Sequence, residues 1–457
     1  HSGWPRSRIS SKIIAMGAVR EFRAGGIAII FAVISAGCLP SSEDGSSKIA
    51  ESPTDIFDQT ARRSSALPEP IDEIDLSGLQ FSQAPELALR VKAGELLPLR
   101  ERLPGKPLVL DPVREIGTYG GTIRRWLSTD VFDATVIRKT LSESLMAFER
   151  PLPIRMRLNL AQGYEILDGG RRVILKLRRG IRWSDGVLFT VDDILFWYDD
   201  MTVDENARQA PFFPSRWMSQ GKPVKLEKLD DYTLAISADE PLGVIFETLC
   251  HDDIAQPKHI LARYHPRYNE DSDYDRLRTF TSPGRLAYEP GIPRLSAFVP
   301  SKWERGRIAE YERNPYYWKI DSRGNQLPYA DKLEYTIISN PQLPLLKFQN
   351  GELDFAEPGL ILSMYPAIKA REREGLYKLN LTTPFVTTGI FPNWDAPNPE
   401  LRTAFRDRRV RIALSHAINR AEISKFIFYG HLKPSGISFS HSSPYYSEAA
   451  SQRYSEY

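Results

Sequence analysis

His251, His259 and His265 fall in one short stretch with Asp252 and Asp253, residue types that hold a divalent metal when they converge at fixed geometry. Their separations match no ligand spacing of a metal motif, and Pro257-Lys258-His259-Ile260-Leu261 reads as the entry to a helix. No metal site is assigned. Asp192-Asp193 and Asp199-Asp200 are paired acids of the kind used for general acid–base work. Both pairs fall near expected helix ends, where carboxylates answer the helix dipole. The chain has 7 histidines, none in an evident dyad with Ser or Cys. Neither Gly-x-Ser-x-Gly nor His-Glu-x-x-His occurs, so no catalytic residue is assigned. Gly117-Thr118-Tyr119-Gly120-Gly121 is glycine-rich, but its spacing fits neither phosphate-binding fingerprint and no Lys-Ser/Thr follows.

The residue best placed for covalent chemistry is Cys38. From Met16, read as the true start, Arg20 and Arg23 precede an apolar run that ends Ile34-Ser35-Ala36-Gly37-Cys38. A basic segment, a short apolar stretch and small residues lay out a secretory signal over 16–37. The run is shorter than the roughly 20 residues that span a bilayer. Its end resembles a bacterial lipobox, in which cleavage frees the cysteine for acylation; Ser35 stands where Leu is more usual. The expected location is therefore outside the cytoplasm, as a periplasmic or cell-surface lipoprotein held to a bacterial membrane. The polar stretch after Cys38 reads as a flexible tether. Cys250 is the second of 2 cysteines, so no disulfide framework is expected.

A chain of 457 residues predicts two to three domains. Hydrophobic residues make up 42% and aromatics 11%, enough for packed cores with rings to spare for a cleft. The 60 basic against 58 acidic residues argue against nucleic acid as a partner.

Apolar spacing predicts a helix from Pro85, with the ordered body beginning near Leu108. Arg172 to Leu177 alternates as a half-buried strand, and Asp185-Gly186 makes a turn. Thr190 is expected to cap a helix carrying Val191, Ile194, Leu195 and Tyr198 on one face. Leu333 to Ile338 reads as a strand, Pro344 to Phe348 as a helix, and Leu353-Asp354-Phe355 as the start of another strand. Val410, Ala413, Leu414 and Ala417 form a helical stripe. Asn419 and Glu422 frame a capping box for the next helix, whose expected buried face is Ile423, Phe426 and Ile427. Mixed strands and helices predict an α/β protein.

Five ordered segments then carry a resemblance. They are Leu177-Arg178-Arg179-Gly180-Ile181-Arg182-Trp183-Ser184-Asp185-Gly186 with Phe189-Thr190-Val191-Asp192-Asp193, Asn314-Pro315-Tyr316-Tyr317-Trp318, Gly351-Glu352-Leu353-Asp354-Phe355, Asp407-Arg408-Arg409-Val410-Arg411, and Ala417-Ile418-Asn419-Arg420. Together they resemble the family 5 extracellular solute-binding proteins, the peptide- and nickel-type binding subunits of ABC importers. Asn419 stands where Asp is usual, and Gly291-Ile292-Pro293-Arg294 replaces a Gly-Pro-Tyr.

The resemblance implies a two-lobed type II periplasmic-binding-protein fold with an inserted domain. Mapped here, a signal at 16–37 is followed by a tether and N-terminal extension at 38–106. Lobe I takes 107–140 and 285–365, the inserted domain 141–284, and lobe II 366–457, which is expected to be incomplete. It implies a monomer without cofactor, binding a small molecule or peptide between the lobes and docking on an ABC permease. Asp130, Phe385, Thr387 and Trp394 are the expected ligand contacts. Trp183, Asp185, Gly186, Asn314, Trp318 and Arg411 are expected to be structural, because a turn and a strand-end ring explain them without a ligand. Two rival classes are an exported α/β hydrolase, which lacks a visible nucleophile, and a degenerate lipoprotein that has lost binding.

Overall fold

The computed structural model describes residues 22–24, 27–29, 78–129, 142–149, 155–340, 342–355, 364–372, 374, 377–379, 391–431, 434–435 and 447–452. The chain divides into two compact units. The larger comprises residues 58–360 and 370–377, and the smaller comprises 1–57, 361–369 and 378–457. In the smaller unit Phe22–Ala24 (β1) and Ile27–Ile29 (β2) pair antiparallel.

The larger unit opens with Pro85–Lys92 (α1) and Leu99–Arg102 (α2). Proline at the first helical position starts α1 without losing a hydrogen bond. Ala84, Leu87 and Leu96 are buried, so the ordered body starts well ahead of Leu108, where sequence spacing had placed it. The apolar residues of this extension, spaced for a helix, found a surface to cover.

Leu108–Leu110 (β3) and Thr122–Leu127 (β4) come next. Met146–Glu149 (β5) and Arg155–Leu158 (β6) then pair antiparallel, and Ala161–Leu167 (β7) and Arg172–Leu177 (β8) follow. Val191–Leu195 (α3) runs on into a π-helical stretch, Phe196–Val203. After the short pair Met218–Ser219 (β9) and Lys222–Pro223 (β10) come Lys225–Asp230 (β11) and Thr233–Ser237 (β12). One antiparallel sheet has the order β11-β12-β8-β7. Its core-facing residues Val173, Leu175, Leu177, Leu234 and Ile236 pack with Val191, Ile194 and Tyr198 of the helical segment.

Ile245–His251 (α4), Lys258–Leu261 (α5), Tyr274–Phe280 (α6) and Pro283–Tyr288 (α7) lead to Phe298–Glu304 (β13) and Ile308–Arg313 (β14). Lys319–Asp321 (β15), Lys332–Ile337 (β16) and the helix Leu343–Gln349 (α8) complete the described elements of this unit's main segment. A second sheet has the order β13-β14-β16-β4, with β16 and β4 parallel. A parallel pair needs a long crossover, and here the intervening chain contains the whole first sheet. Separately, β15 pairs with β3 in parallel.

The expected strand at Leu353-Asp354-Phe355 does not form. Asp354 instead joins the chain to β4 through its side chain. Its amide donates to Arg124 O at 2.9 Å, and its carboxylate accepts from Arg124 N at 2.7 Å, Nε at 3.0 Å and Nη2 at 2.7 Å. A carboxylate has taken the place of the next ladder rung. The hydrogen bonds from the Arg124 side chain hold the Asp354 carboxyl below its ordinary value. A lowered acid stabilises the fold above its unfolded pKa and loses that contribution as pH falls through the folded value. The Asp354 carboxyl carbon, followed by NMR, should titrate below an ordinary aspartate, and Arg124→Ala should move its midpoint upward, although the backbone amide of residue 124 still donates to it. An unchanged midpoint in the variant would refute the contact.

In the smaller unit lie Tyr365–Glu372 (α9, which passes into the larger unit), Pro399–Arg406 (α10), Arg408–His416 (α11), Arg420–Ile427 (α12) and Glu448–Gln452 (α13). Asn398, Asp407 and Asn419 cap α10, α11 and α12 by accepting from first-turn amides. Gly430 ends α12 at φ +77°, where it donates to Ser424 O. The burial expected for Ile423, Phe426 and Ile427 is corrected: all three are exposed, and so is Leu414. Among the described residues of this unit only Ile368, Ala396 and Ser451 are buried. Amphipathic spacing forms a helix, but burial needs a covering layer, and no described element supplies one.

Candidate functional site

The turn after β8 is built from residues that sequence spacing singled out. Trp183 is buried and donates through Nε1 to Asp193 Oδ2 at 3.2 Å. That same oxygen accepts from Thr190 N at 3.0 Å, and Asp193 Oδ1 accepts from Lys258 N at 3.1 Å. Asp193 is therefore more than a charge at a helix end: three donors from three segments meet on one buried carboxylate. Burial pushes it above its ordinary value, against those hydrogen bonds. The Thr190 hydroxyl accepts from Asp192 N at 3.3 Å and forms a capping box with Asp193, so the expected cap is in place.

Asp185 closes an Asx turn with Val187 N at 3.2 Å and pairs with His259 Nε2 at 2.7 Å. Gly186 sits at φ +93°, and a Cβ there would stand 3.0 Å from Tyr316 Oη. Asn314 is fully buried. Its amide group donates to Arg294 O at 3.2 Å and Ser296 O at 2.8 Å, and its Oδ1 accepts from Tyr316 N at 2.9 Å. The Ser184 hydroxyl accepts from Arg294 N at 3.0 Å. Trp183, Asp185, Gly186 and Asn314 thus belong to one interlocked corner.

The three histidines are dispersed. His259 faces Asp185. His265 is buried against Asp200 O at 3.1 Å, and the His251 ring lies edge-on to Phe148 with centroids 4.8 Å apart. Among the described residues no three His, Cys, Asp or Glu side chains converge as metal ligands. Cys250 is a half-buried free thiol, pushed up to about 12 by burial. Asp200, read as a helix-end acid, is buried and accepts from Arg267 Nη1 at 2.7 Å and Tyr268 Oη at 2.6 Å.

Sequence reasoning missed a buried charge cluster. Glu143 accepts from Lys319 Nζ, Tyr317 Oη and Asn159 Nδ2, each at 2.8 Å. Arg178, also buried, donates to Asn159 O at 2.8 Å. Lys319 Nζ lies 4.8 Å from the ring centroid of Trp318, which is itself fully buried. Burial lowers the Lys319 ammonium below its ordinary value even with Glu143 beside it, and raises the Tyr317 phenol well above its own. No local pattern marks Glu143 and Lys319 as partners, because they come from distant stretches.

A concavity of about 510 Å3 lies nearby, lined by Thr118, Phe298, Tyr317, Leu327, Pro328 and Tyr329 among others. Its wall is chiefly apolar and aromatic, which suits a ring or an aliphatic group rather than an ion.

Of the expected ligand contacts, Trp394 is described and Asp130, Phe385 and Thr387 lie outside the described residues, as does Cys38. Trp394 is 52% exposed. The Arg411 guanidinium covers its ring at 4.7 Å, and Arg406 Nε donates to its carbonyl at 3.0 Å. Arg411 also donates to Phe405 O at 2.8 Å and Arg406 O at 2.7 Å, closing the last turn of α10. Trp394 is thereby held by two arginines while half its surface stays open. Among the described residues no helix is long and apolar enough to cross a membrane.

Residues 155–457 match the family of bacterial extracellular solute-binding proteins, family 5, through its middle region, and the chain belongs to that family. It is 29% identical over 276 residues to the periplasmic alpha-galactoside-binding protein of Rhizobium meliloti (strain 1021), covering 54% of this chain and 38% of that one. Against the oligopeptide-binding protein AppA of Bacillus subtilis (strain 168) the identity is 23%, covering 61% and 44%. Among solved structures, an oligopeptide-binding protein OppA superposes with a TM-score of 0.65 at 29% identity, covering 83% of this chain and 62% of that one. The periplasmic binding protein MelB of Agrobacterium fabrum C58, in complex with stachyose, gives 0.64 at 24% identity, covering 80% and 59%. These likenesses establish the α/β fold of the type II periplasmic binding proteins. The chain spans less than half the length of the two curated relatives.

Proposed function

We propose that this protein is an exported lipoprotein that binds a small solute, a peptide or a similar molecule, and delivers it to an ABC importer without chemical change. Membership of family 5 is the observation that carries this reading. In it, 16–37 is the signal, Cys38 the acylated residue and 38–106 the tether and extension. Segments 107–140 and 285–365 form lobe I, 141–284 the inserted domain and 366–457 lobe II. Asp130, Phe385, Thr387 and Trp394 contact the ligand, and the protein works as a monomer at the outer face of a membrane. The half-open Trp394 ring supports its role, since an aromatic face suits both peptide side chains and sugar rings.

Thermal unfolding with added ligands tests the reading. A ligand at 100 times its Kd stabilises by about 2.7 kcal/mol, enough for a clear rise in Tm. A rise with oligopeptides supports peptide delivery. A rise with stachyose alone favours an oligosaccharide, a second reading that the Rhizobium meliloti relative and the stachyose complex support. No rise with peptides, oligosaccharides or metal chelates would refute solute binding. Trp394→Ala should weaken whichever ligand binds by about tenfold, a difference of roughly 1.4 kcal/mol in a titration. An unchanged Kd would remove Trp394 from the site.

A further inference from the structure

We propose that residues 79–103 are an intramolecular strap that clamps the loop 321–329 and so fixes one wall of the 510 Å3 concavity. The strap precedes the stretch matched to the family, so its role does not follow from membership. It is laid along the loop as an added strand edge. Ser82 N donates to Gly324 O at 3.0 Å, and Gln326 N donates to Ser82 O at 2.8 Å. Gly324 has φ +85°, and a Cβ there would lie 2.7 Å from Gln80 O. Only glycine lets the two backbones approach this closely.

Arg102 is the fastener. Its side chain is fully buried, and it faces neutral acceptors rather than a carboxylate. Nε donates to Leu97 O at 2.9 Å and Nη1 to Gln326 Oε1 at 3.3 Å, with further bonds to Pro315 O and Gln83 Oε1. One guanidinium thus joins the beginning of the strap, its end and the loop. A buried cation persists only where its donors are answered, so these acceptors must stay in place together. Apolar contacts reinforce the arrangement, with Leu87 beside Tyr316 and Leu99 beside Ile320.

The loop is also tied within itself. The Asp321 carboxylate accepts from Arg323 N at 2.8 Å, Asn325 N at 2.9 Å and Tyr329 Oη at 2.5 Å. Burial raises that carboxyl, and the hydrogen bonds outweigh it, leaving the group below its ordinary value. Leu327, Pro328 and Tyr329 of the same loop line the concavity. Strap, loop and wall therefore form one mechanical unit.

Hydrogen exchange on the full chain tests this. Amides of 79–103 and 321–329 should exchange slowly in the wild type. Arg102→Ala should speed both segments together by about tenfold or more, since hydrogen bonds from a charged donor are the stronger ones, while β7 and β8 keep their protection. Gln83→Ala, a milder loosening of the same fastener, should show the same paired response if Arg102→Ala fails to fold. The proposal is overturned if 79–103 exchanges freely in the wild type, or if freeing it leaves 321–329 unchanged.

Discussion

Glu143→Gln will destabilise the larger unit by about 3–5 kcal/mol in a chemical denaturation. The substitution keeps the volume of the side chain and removes its charge. Lys319 is then a buried ammonium with no anion beside it, with the cations Arg157 and Arg178 also bearing on it. The Gln amide adds two donors where Lys319, Tyr317 and Asn159 already donate. Lys319→Met added to Glu143→Gln should recover half or more of the loss, because the unpaired charge is gone. If the single substitution costs less than about 1 kcal/mol, the pair is solvated and Glu143 and Lys319 are not a buried cluster.

Asp193→Ala should cost about 3 kcal/mol, near the sum expected when several buried donors lose one acceptor. Trp183 Nε1, Thr190 N and Lys258 N all converge on this carboxylate. The loss should be local first. Near-ultraviolet circular dichroism should lose signal from Trp183, and amides at the start of α3 and α5 should exchange faster. Asp193→Asn should fall between the two, since one amide oxygen can serve part of the set. Retention of wild-type stability by the alanine variant would show that the corner is held by packing alone.

These two sites divide differently between sequence and structure. The Asp193 corner was partly legible. Thr190 before an apolar stripe announced a helix start, and Asp185-Gly186 announced a turn, because capping and turn chemistry act within a few residues. The convergence of Trp183 and Lys258 on the same acid was not legible, since it depends on how separate segments pack. The Glu143 cluster gave no local signal at all. A lysine at a strand start and a glutamate in a connecting segment look like solvated charges until the fold buries both.

Local spacing alone was enough for β8, α3, α8 and the helices α11 and α12, and for the ordered motifs that marked the family. Those features arise from backbone sterics and short-range hydrogen bonds, which sequence neighbours control. Tertiary structure decided three other things: that residues 79–103 are packed rather than loose, that Asp354 binds Arg124 instead of extending a strand, and that the apolar faces of α11 and α12 stay exposed. Each depends on which surface lies opposite, and the free energy of burial or pairing belongs to that meeting of surfaces rather than to either segment.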